Sequence, residues 1–262
     1  MTLRRKIAIG ISQVVSGLRY FSGSRRGLRV LMYHAIGSPA LGDELGIFSL
    51  TPSLFESQVD HLAACYRNQI HSLDTDLLPS PSHGALQLAI TFDDGYLDNL
   101  TVAAPLLVER GLPFTVFVIA DHVRDRRNGF LEPLSLRELA ALPRVTIGAH
   151  GASHHPLTRC DDRKLQSELV GSRRYLEDLI GRPVPTMSYP HGAVDRRVRQ
   201  ATADAGYRLA ACSYADINRP GRDPLLLART EILAGDNLGI FRQKLKGNWD
   251  WYRWRTADPA CS

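Results

Sequence analysis

LQLAITFDDG, residues 86–95, decides how this chain is read. Its first seven residues, 86–92, form an apolar run of strand length. A run that is apolar on both faces fits a strand covered on both sides, as in a parallel sheet wrapped by helices. The run passes directly into Asp93-Asp94-Gly95, so two adjacent carboxylates arrive where a buried strand gives way to a loop. Like charges side by side repel and desolvate poorly, a cost that stability alone does not favour unless a cation or hydrogen bonds offset it. A solvated Asp-Asp-Gly turn is the plain alternative, and it is the better reading if the motif stands alone.

The surrounding chain supplies the rest of the sheet. Strand-length apolar runs are expected at 28–33, 86–92, 114–119, 144–148, 184–189 and 207–212, alternating with segments of helical period. Phe55, Val59, Leu62 and Tyr66 stripe one helix, with Thr51 as its N-cap and Pro52 in its first turn. Ser135 and Glu138 form a candidate capping box, and Leu165, Leu169, Leu176 and Leu179 stripe a long helix that Gly181 can end. No fixed-period repeat and no Gly-, Ser- or Pro-rich linker divides the 262 residues, so an α/β fold in one domain over residues 28–255 is expected, with a short tail at 256–262. The boundaries of the segment 213–236 are the least defined. In an α/β barrel the loops at the C-terminal ends of the strands carry the chemistry, and Asp93 and Asp94 sit at such an end.

Composition narrows the function classes. With 44% hydrophobic and 23% charged residues, the chain is globular rather than low-complexity or disordered. Cys65, Cys160, Cys212 and Cys261 are widely separated and form no CxxC pair, which argues against a zinc ribbon or a disulfide framework and fits a reducing compartment. The net charge of +5 is local: residues 1–27 hold Arg4, Arg5, Lys6, Arg19, Arg25 and Arg26 and no acid. The remainder is nearly neutral, so no nucleic-acid partner is expected. Within this arm Ile7, Ile11, Val14, Val15 and Leu18 draw one apolar stripe. The stripe is too short to span a bilayer, which takes roughly 20 residues. No small-residue cleavage site follows it. A basic amphipathic arm can lie on an anionic membrane surface, giving a second expectation of peripheral membrane association; packing on the domain or remaining loose is the plainer reading. Without an export signal, the expected place of work is the cytoplasm, extending to the cytoplasmic membrane face.

The run at 145–149 delivers His150, and His154 follows four residues later. Histidines at i and i+4 can converge on one ion, and with Asp94 they make a two-histidine, one-carboxylate set that leaves positions for water and substrate. Such a site is hydrolytic in character. The donors admit Zn²⁺, the default, and also Co²⁺, Ni²⁺ or Fe²⁺.

TFDDG at 91–95 with His150 and His154 resembles the NodB-homology polysaccharide deacetylases, carbohydrate esterase family four. MSYPHG at 187–192 is similar to that family's third motif, and VLMYHAI at 30–36, SLTPSLFESQVDHL at 49–62 and HHPLT at 154–158 extend the likeness over about 28–255. The resemblance implies a distorted (β/α) barrel and a metal-dependent hydrolase that deacetylates N-acetylated sugars, with Asp94, His150 and His154 as metal ligands and Asp93 as the catalytic base. It places oxyanion or substrate contacts around Tyr189 and His191. Two features depart from the family. The arginine that positions the base stands two residues before the motif's proline, where this chain has Ser188; Arg229 and Arg222 are candidates to replace it, each more simply read as a surface residue. No histidine follows His191 to serve as the late general acid. VLMYH at 30–34 is similar to the early segment of a permuted branch that includes poly-N-acetylglucosamine deacetylases, which makes His34 the candidate acid. A histidine hydrogen-bonded to a loop carbonyl is the alternative there.

The expected substrate is therefore an N-acetylhexosamine in a polysaccharide or lipid-linked glycan, with acetate as product. A non-sugar amide on the same scaffold and a non-catalytic glycan-binding protein are the competing readings. His155 is a weaker candidate, while His61, His71, His83 and His122 read as structural or exposed. Trp249, Trp251, Tyr252 and Trp254 read as packing against the barrel.

Overall fold

A computed structural model describes residues 26–40, 42–73, 86–251 and 258–259. The basic arm (apart from its last two residues), His83, Tyr252 and Trp254 lie outside them. The strands are β1 (Gly27–Tyr33), β2 (Ala35–Ile36), β3 (Ser49–Leu50), β4 (Leu86–Phe92), β5 (Phe114–Val118), β6 (Val145–Ala149), β7 (Thr186–Ser188), β8 (Leu209–Ala211) and β9 (Arg229–Glu231). Seven of them form one parallel sheet in the order β8-β7-β6-β5-β4-β1-β9. The two edges meet: Ala211 bridges Leu227 in parallel, Leu227 N–H donates to Ala210 O at 2.9 Å and Cys212 N–H donates to Leu227 O at 2.8 Å. The result is a nearly closed barrel.

Strand alternation divides the apolar residues between two cores. Leu28, Val30, Ala89, Phe117, Leu209, Ala211 and Leu227 group together as a small cluster inside the barrel. Leu31, Tyr33, Leu88, Ile90 and Phe92 belong to the larger cluster under the helices. Parallel strands buried on both faces need apolar side chains throughout, which is why 86–92 carries its strand signal so plainly. Gly148 faces inward where a Cβ would lie 2.4 Å from the Phe117 ring and 3.0 Å from Thr186 O, so only glycine fits that step of β6.

The helices are α1 (Pro52–Tyr66), α2 (Ala104–Glu109), α3 (Ala120–Arg124), α4 (Pro133–Ala141), α5 (Asp162–Gln166), α6 (Ser172–Ile180), α7 (Arg196–Asp204) and α8 (Leu238–Leu245). Thr51 caps α1 by accepting from Leu54 N–H, and Phe55, Val59 and Leu62 face the core as the stripe requires. A wider turn, Ser167–Gly171, joins α5 to α6, and Gly181 ends α6 in the left-handed region at φ 69°. The capping pair of α4 is set one turn earlier than expected: Ser135 is its third residue and its Oγ accepts from Glu132 N–H at 2.8 Å, so Glu138 lies inside the helix. Three strands were not anticipated, β2 and β3, which pair with each other, and β9. All three are too short, and β9 too polar, to produce a periodic apolar signal.

Candidate active site

The same alternation that fills the barrel aims the candidate side chains at its C-terminal mouth. Counting in twos from inward residues leads from Val30 to His34, from Ala89 to Asp93, from Gly148 to His150 and from Leu227 to Arg229. Two ladders continue one step past their strands to hold the first residue of each loop: Asp93 N–H donates to Tyr33 O at 2.9 Å and His150 N–H to Val118 O at 2.8 Å. Asp94 then turns into the left-handed region at φ 73°, and His154 does so at φ 61°. Such backbone is costly for residues with a Cβ and persists where surrounding contacts over-determine it, commonly at functional sites.

One ligand atom from each of Asp94, His150 and His154 lies within 4.8 Å of the other two. Asp94 Oδ1 is 3.4 Å from His150 Nε2 and 3.4 Å from His154 Nε2. His150 Nδ1 lies 2.9 Å from Ser188 O and 2.6 Å from Ser188 Oγ. Donation from Nδ1–H to that carbonyl fixes the tautomer and leaves the Nε2 lone pair facing Asp94. Burial pushes the His154 imidazole down, and the charge of His150 adds to this, to about 4, so it is neutral at physiological pH. Burial also opposes a charged His150, but Asp93 and Asp94 outweigh it and raise its pKa. The Asp94 carboxyl, despite burial, sits well below the usual range through the hydrogen bond and charge of His150. The donor set, one oxygen and two ring nitrogens beside a second carboxylate, fits a divalent cation.

Asp93 is not one of the three. It is 3% exposed, and Arg229 grips it with two parallel bonds, Nη1 to Oδ1 and Nη2 to Oδ2, each 2.7 Å. Ser188 Oγ–H donates to Oδ1 at 3.2 Å. Burial pushes this carboxyl up, but the charge of Arg229 leads the opposing effects and brings it to about 2. Arg229 is 1% exposed and also donates Nε–H to Cys212 O at 2.8 Å, so the surface reading of this residue is corrected. Arg222 is not brought to the site: it pairs with Asp258 at 2.6 Å and donates to Leu226 O.

His34 is half-buried, with its ring 4.8 Å from that of Phe48, its carbonyl accepting from Asn99 Nδ2 at 2.9 Å, and its Nδ1 buried without a partner. His191 stands at the rim, with its ring 4.4 Å from that of His154 and its Nε2 3.1 Å from His154 O. Tyr189 points elsewhere: its hydroxyl donates to Leu225 O at 2.9 Å in the core and its N–H to Ala211 O at 3.0 Å, so neither is free for a substrate. The role of the Ser188 hydroxyl, linking His150 to Asp93, was missed; its inward phase on a strand beside Thr186 was the available signal. Among the described residues, no helix is long and apolar enough to cross a membrane.

A nearly closed parallel barrel with this Asp-Asp and His-His arrangement at its mouth defines a class, and comparison agrees with it. The polysaccharide deacetylase family model matches residues 82–210. Over that span the chain carries a NodB-homology polysaccharide deacetylase domain. YxkH of Bacillus subtilis (strain 168) is 24% identical over 233 residues, covering 84% of this chain and 77% of that one. The chitooligosaccharide deacetylase of Rhizobium leguminosarum bv. trifolii is 28% identical over 144 residues, covering 52% of this chain and 62% of that one. The Streptococcus pyogenes deacetylase PplD, solved in complex with acetate, superimposes with a TM-score of 0.72 at 21% identity, covering 84% of this chain and 98% of that one.

Proposed function

We propose that this protein is a metal-dependent N-deacetylase that hydrolyses the acetamide of an N-acetylhexosamine in a polysaccharide or lipid-linked glycan and releases acetate. The observation that carries the reading is a three-donor cluster beside a separately held carboxylate: Asp94, His150 and His154 converge, while Arg229 keeps Asp93 off them. A binding protein has no need for a free base in that place. The relative whose name specifies chitooligosaccharides supports the sugar substrate.

Asp94, His150 and His154 would hold the ion, with zinc first among those the donors accept. Such an ion supplies Lewis acidity to the amide carbonyl and lowers the pKa of a water. Asp93 acts as the base. Its Oδ1 is filled by Arg229 and Ser188, whereas Oδ2 accepts only from Arg229 and keeps a lone pair for the water's proton. His34 gives a proton to the leaving amine, a task an imidazole performs near neutral pH. The backbone around His191 is assigned to the oxyanion. Peripheral association of the arm at 1–27 with an anionic membrane surface is the second reading of that arm, behind packing on the domain or remaining loose; it would bring the site to glycans assembled at the cytoplasmic face, and equal liposome binding with and without the arm would remove it.

The test is acetate release from N-acetylglucosamine oligomers and a lipid-linked N-acetylhexosamine by purified protein, with and without added metal, beside Asp93→Asn. Metal-dependent release that is lost in Asp93→Asn is expected. Release that survives chelation, or a full metal site with no release from either substrate, overturns the reading.

A further inference from the structure

Glu168 is a fully buried carboxylate that the reaction does not use. It sits in the turn between α5 and α6 and reaches the loop that separates the two histidine ligands. Its Oε2 accepts from Ala152 N–H at 2.7 Å and from Ser153 N–H at 2.9 Å. Its Oε1 accepts from the Ser153 hydroxyl and from Lys164 Nζ at 2.9 Å. Three of these four donors belong to the residues midway between His150 and His154.

That loop has an improbable course. Gly151 and His154 are both left-handed, at φ 68° and φ 61°. At Gly151 a Cβ would stand 3.0 Å from Glu168 Oε2 and 3.2 Å from Pro190 Cγ, so the backbone runs directly against the carboxylate. From the other side α3 fixes the loop's carbonyls: Ala120 N–H donates to Gly151 O at 3.2 Å and Asp121 N–H to Ala152 O at 2.9 Å. Carbonyls held by α3 and amides held by Glu168 leave the loop one conformation, in which His154 Nε2 faces Asp94. Burying a carboxylate is costly unless donors saturate it, and here they do.

We propose that Glu168 is a positioning residue for the metal centre: by gripping Ala152 and Ser153 it sets the separation of His150 and His154 and so tunes metal affinity. The proposal rests on the metal-centre reading above. It predicts an effect on affinity larger than on fold, because partners that orient metal ligands characteristically change affinity by about 10–100-fold.

The experiment is chelator competition for Zn²⁺ and Co²⁺ on the full chain, with metal-free melting temperature measured in parallel, for Glu168→Ala, Glu168→Gln and Ser153→Ala. Glu168→Ala is expected to weaken binding at least tenfold. Glu168→Gln keeps an oxygen for the two amides and recovers most of the loss, while Ser153→Ala loses a few-fold with an unchanged melting temperature. Turnover of each variant returns towards the parent's at saturating metal. Parental affinity in folded Glu168→Ala overturns the proposal; should that variant not fold, parental affinity in both Glu168→Gln and Ser153→Ala does so. A parent chain that binds no metal refutes the metal-centre reading itself, and an affinity unchanged across variants of a metal-binding parent refutes only the grip.

Discussion

Replacing Arg229 by Met removes the two 2.7 Å bonds to Asp93 and strands a buried carboxylate. Removing one partner of a buried, hydrogen-bonded ion pair typically costs about 3–5 kcal/mol. The net preference of the site for ionised Asp93, set by burial against the charges of Arg229, His150 and His34, is of similar order. The Asp93 carboxyl sits at about 2 against an ordinary 3.8. At about 1.4 kcal/mol per pH unit this is ~2–3 kcal/mol in favour of the ionised form. Because the folded-state pKa is depressed, this contribution is complete above the unfolded value near 3.8 and is lost only as pH falls towards 2. The full loss in Arg229→Met should therefore appear at neutral pH, as a fall in melting temperature of roughly 10 °C for a chain of this size. Catalysis should fall further, since a positioned base is worth about 10²–10⁴ in rate and Arg229 is what fixes the Asp93 plane. Arg229→Lys keeps charge but not the fork and should fall between the two. The double variant Arg229→Met with Asp93→Asn should be more stable than Arg229→Met alone, because the uncompensated charge is gone. Thermal unfolding, metal occupancy and acetate release on the four proteins read out each step. Arg229→Met with parental melting temperature and turnover within about threefold of the parent would refute the argument.

His34→Gln should lose about 10²–10⁴ in turnover while metal affinity stays parental; near-parental turnover removes His34 as the acid. His122 is held neutral, its pKa pushed down to about 4 by burial and then by the Arg127 charge. Below about 6.5 the unfolded chain takes up a proton that the folded chain refuses, so stability is lost as pH falls from 6.5 to 4, by at most ~3 kcal/mol. His122→Gln should flatten that part of the stability curve measured by urea unfolding, and parallel curves would contradict it. Gly148→Ala places a methyl 2.4 Å from the Phe117 ring and should cost about 1–3 kcal/mol through overpacking. An unchanged melting temperature would show that the barrel interior yields there.

What was legible in the sequence follows physical lines. Residues 86–92 were bounded correctly because a strand covered on both faces cannot conceal its composition. The convergence of Asp94, His150 and His154 was accessible because Asp94 and His150 come just past strand ends and His154 stands four residues beyond His150. The Arg229–Asp93 pair spans 136 positions and carries no local signature. Arg229, Thr230 and Glu231 form a strand of three polar residues, recognisable only through their pairing with Val30, Leu31 and Met32. Tyr189 misled for a related reason: it lies beside the motif's proline, but strand phase turns its phenol outward into the helical core.

The barrel explains how the base acquires its arginine from an unfamiliar place. In an open sheet, a partner for Asp93 must come from an adjacent strand end. In a closed barrel every inward residue near the mouth faces one small volume, so either side can supply it. β9 lies two strands from β4 through β1, a gap of about 10 Å that a side chain as long as arginine spans. β7, the strand of Ser188, lies three strands away in the other direction. The two positions meet at the same atom: Ser188 Oγ and Arg229 Nη1 both donate to Asp93 Oδ1. A guanidinium arriving from β7 would compete for that oxygen, so the small hydroxyl at 188 and the arginine at 229 form one solution to one problem. The solution has a structural condition. Arg229 reaches Asp93 only when β9 is in place, and β9 is fixed by β1 on one side and by the Leu227 and Tyr214 contacts to the β8 edge on the other. Closing the barrel and orienting the base are therefore the same event in this fold.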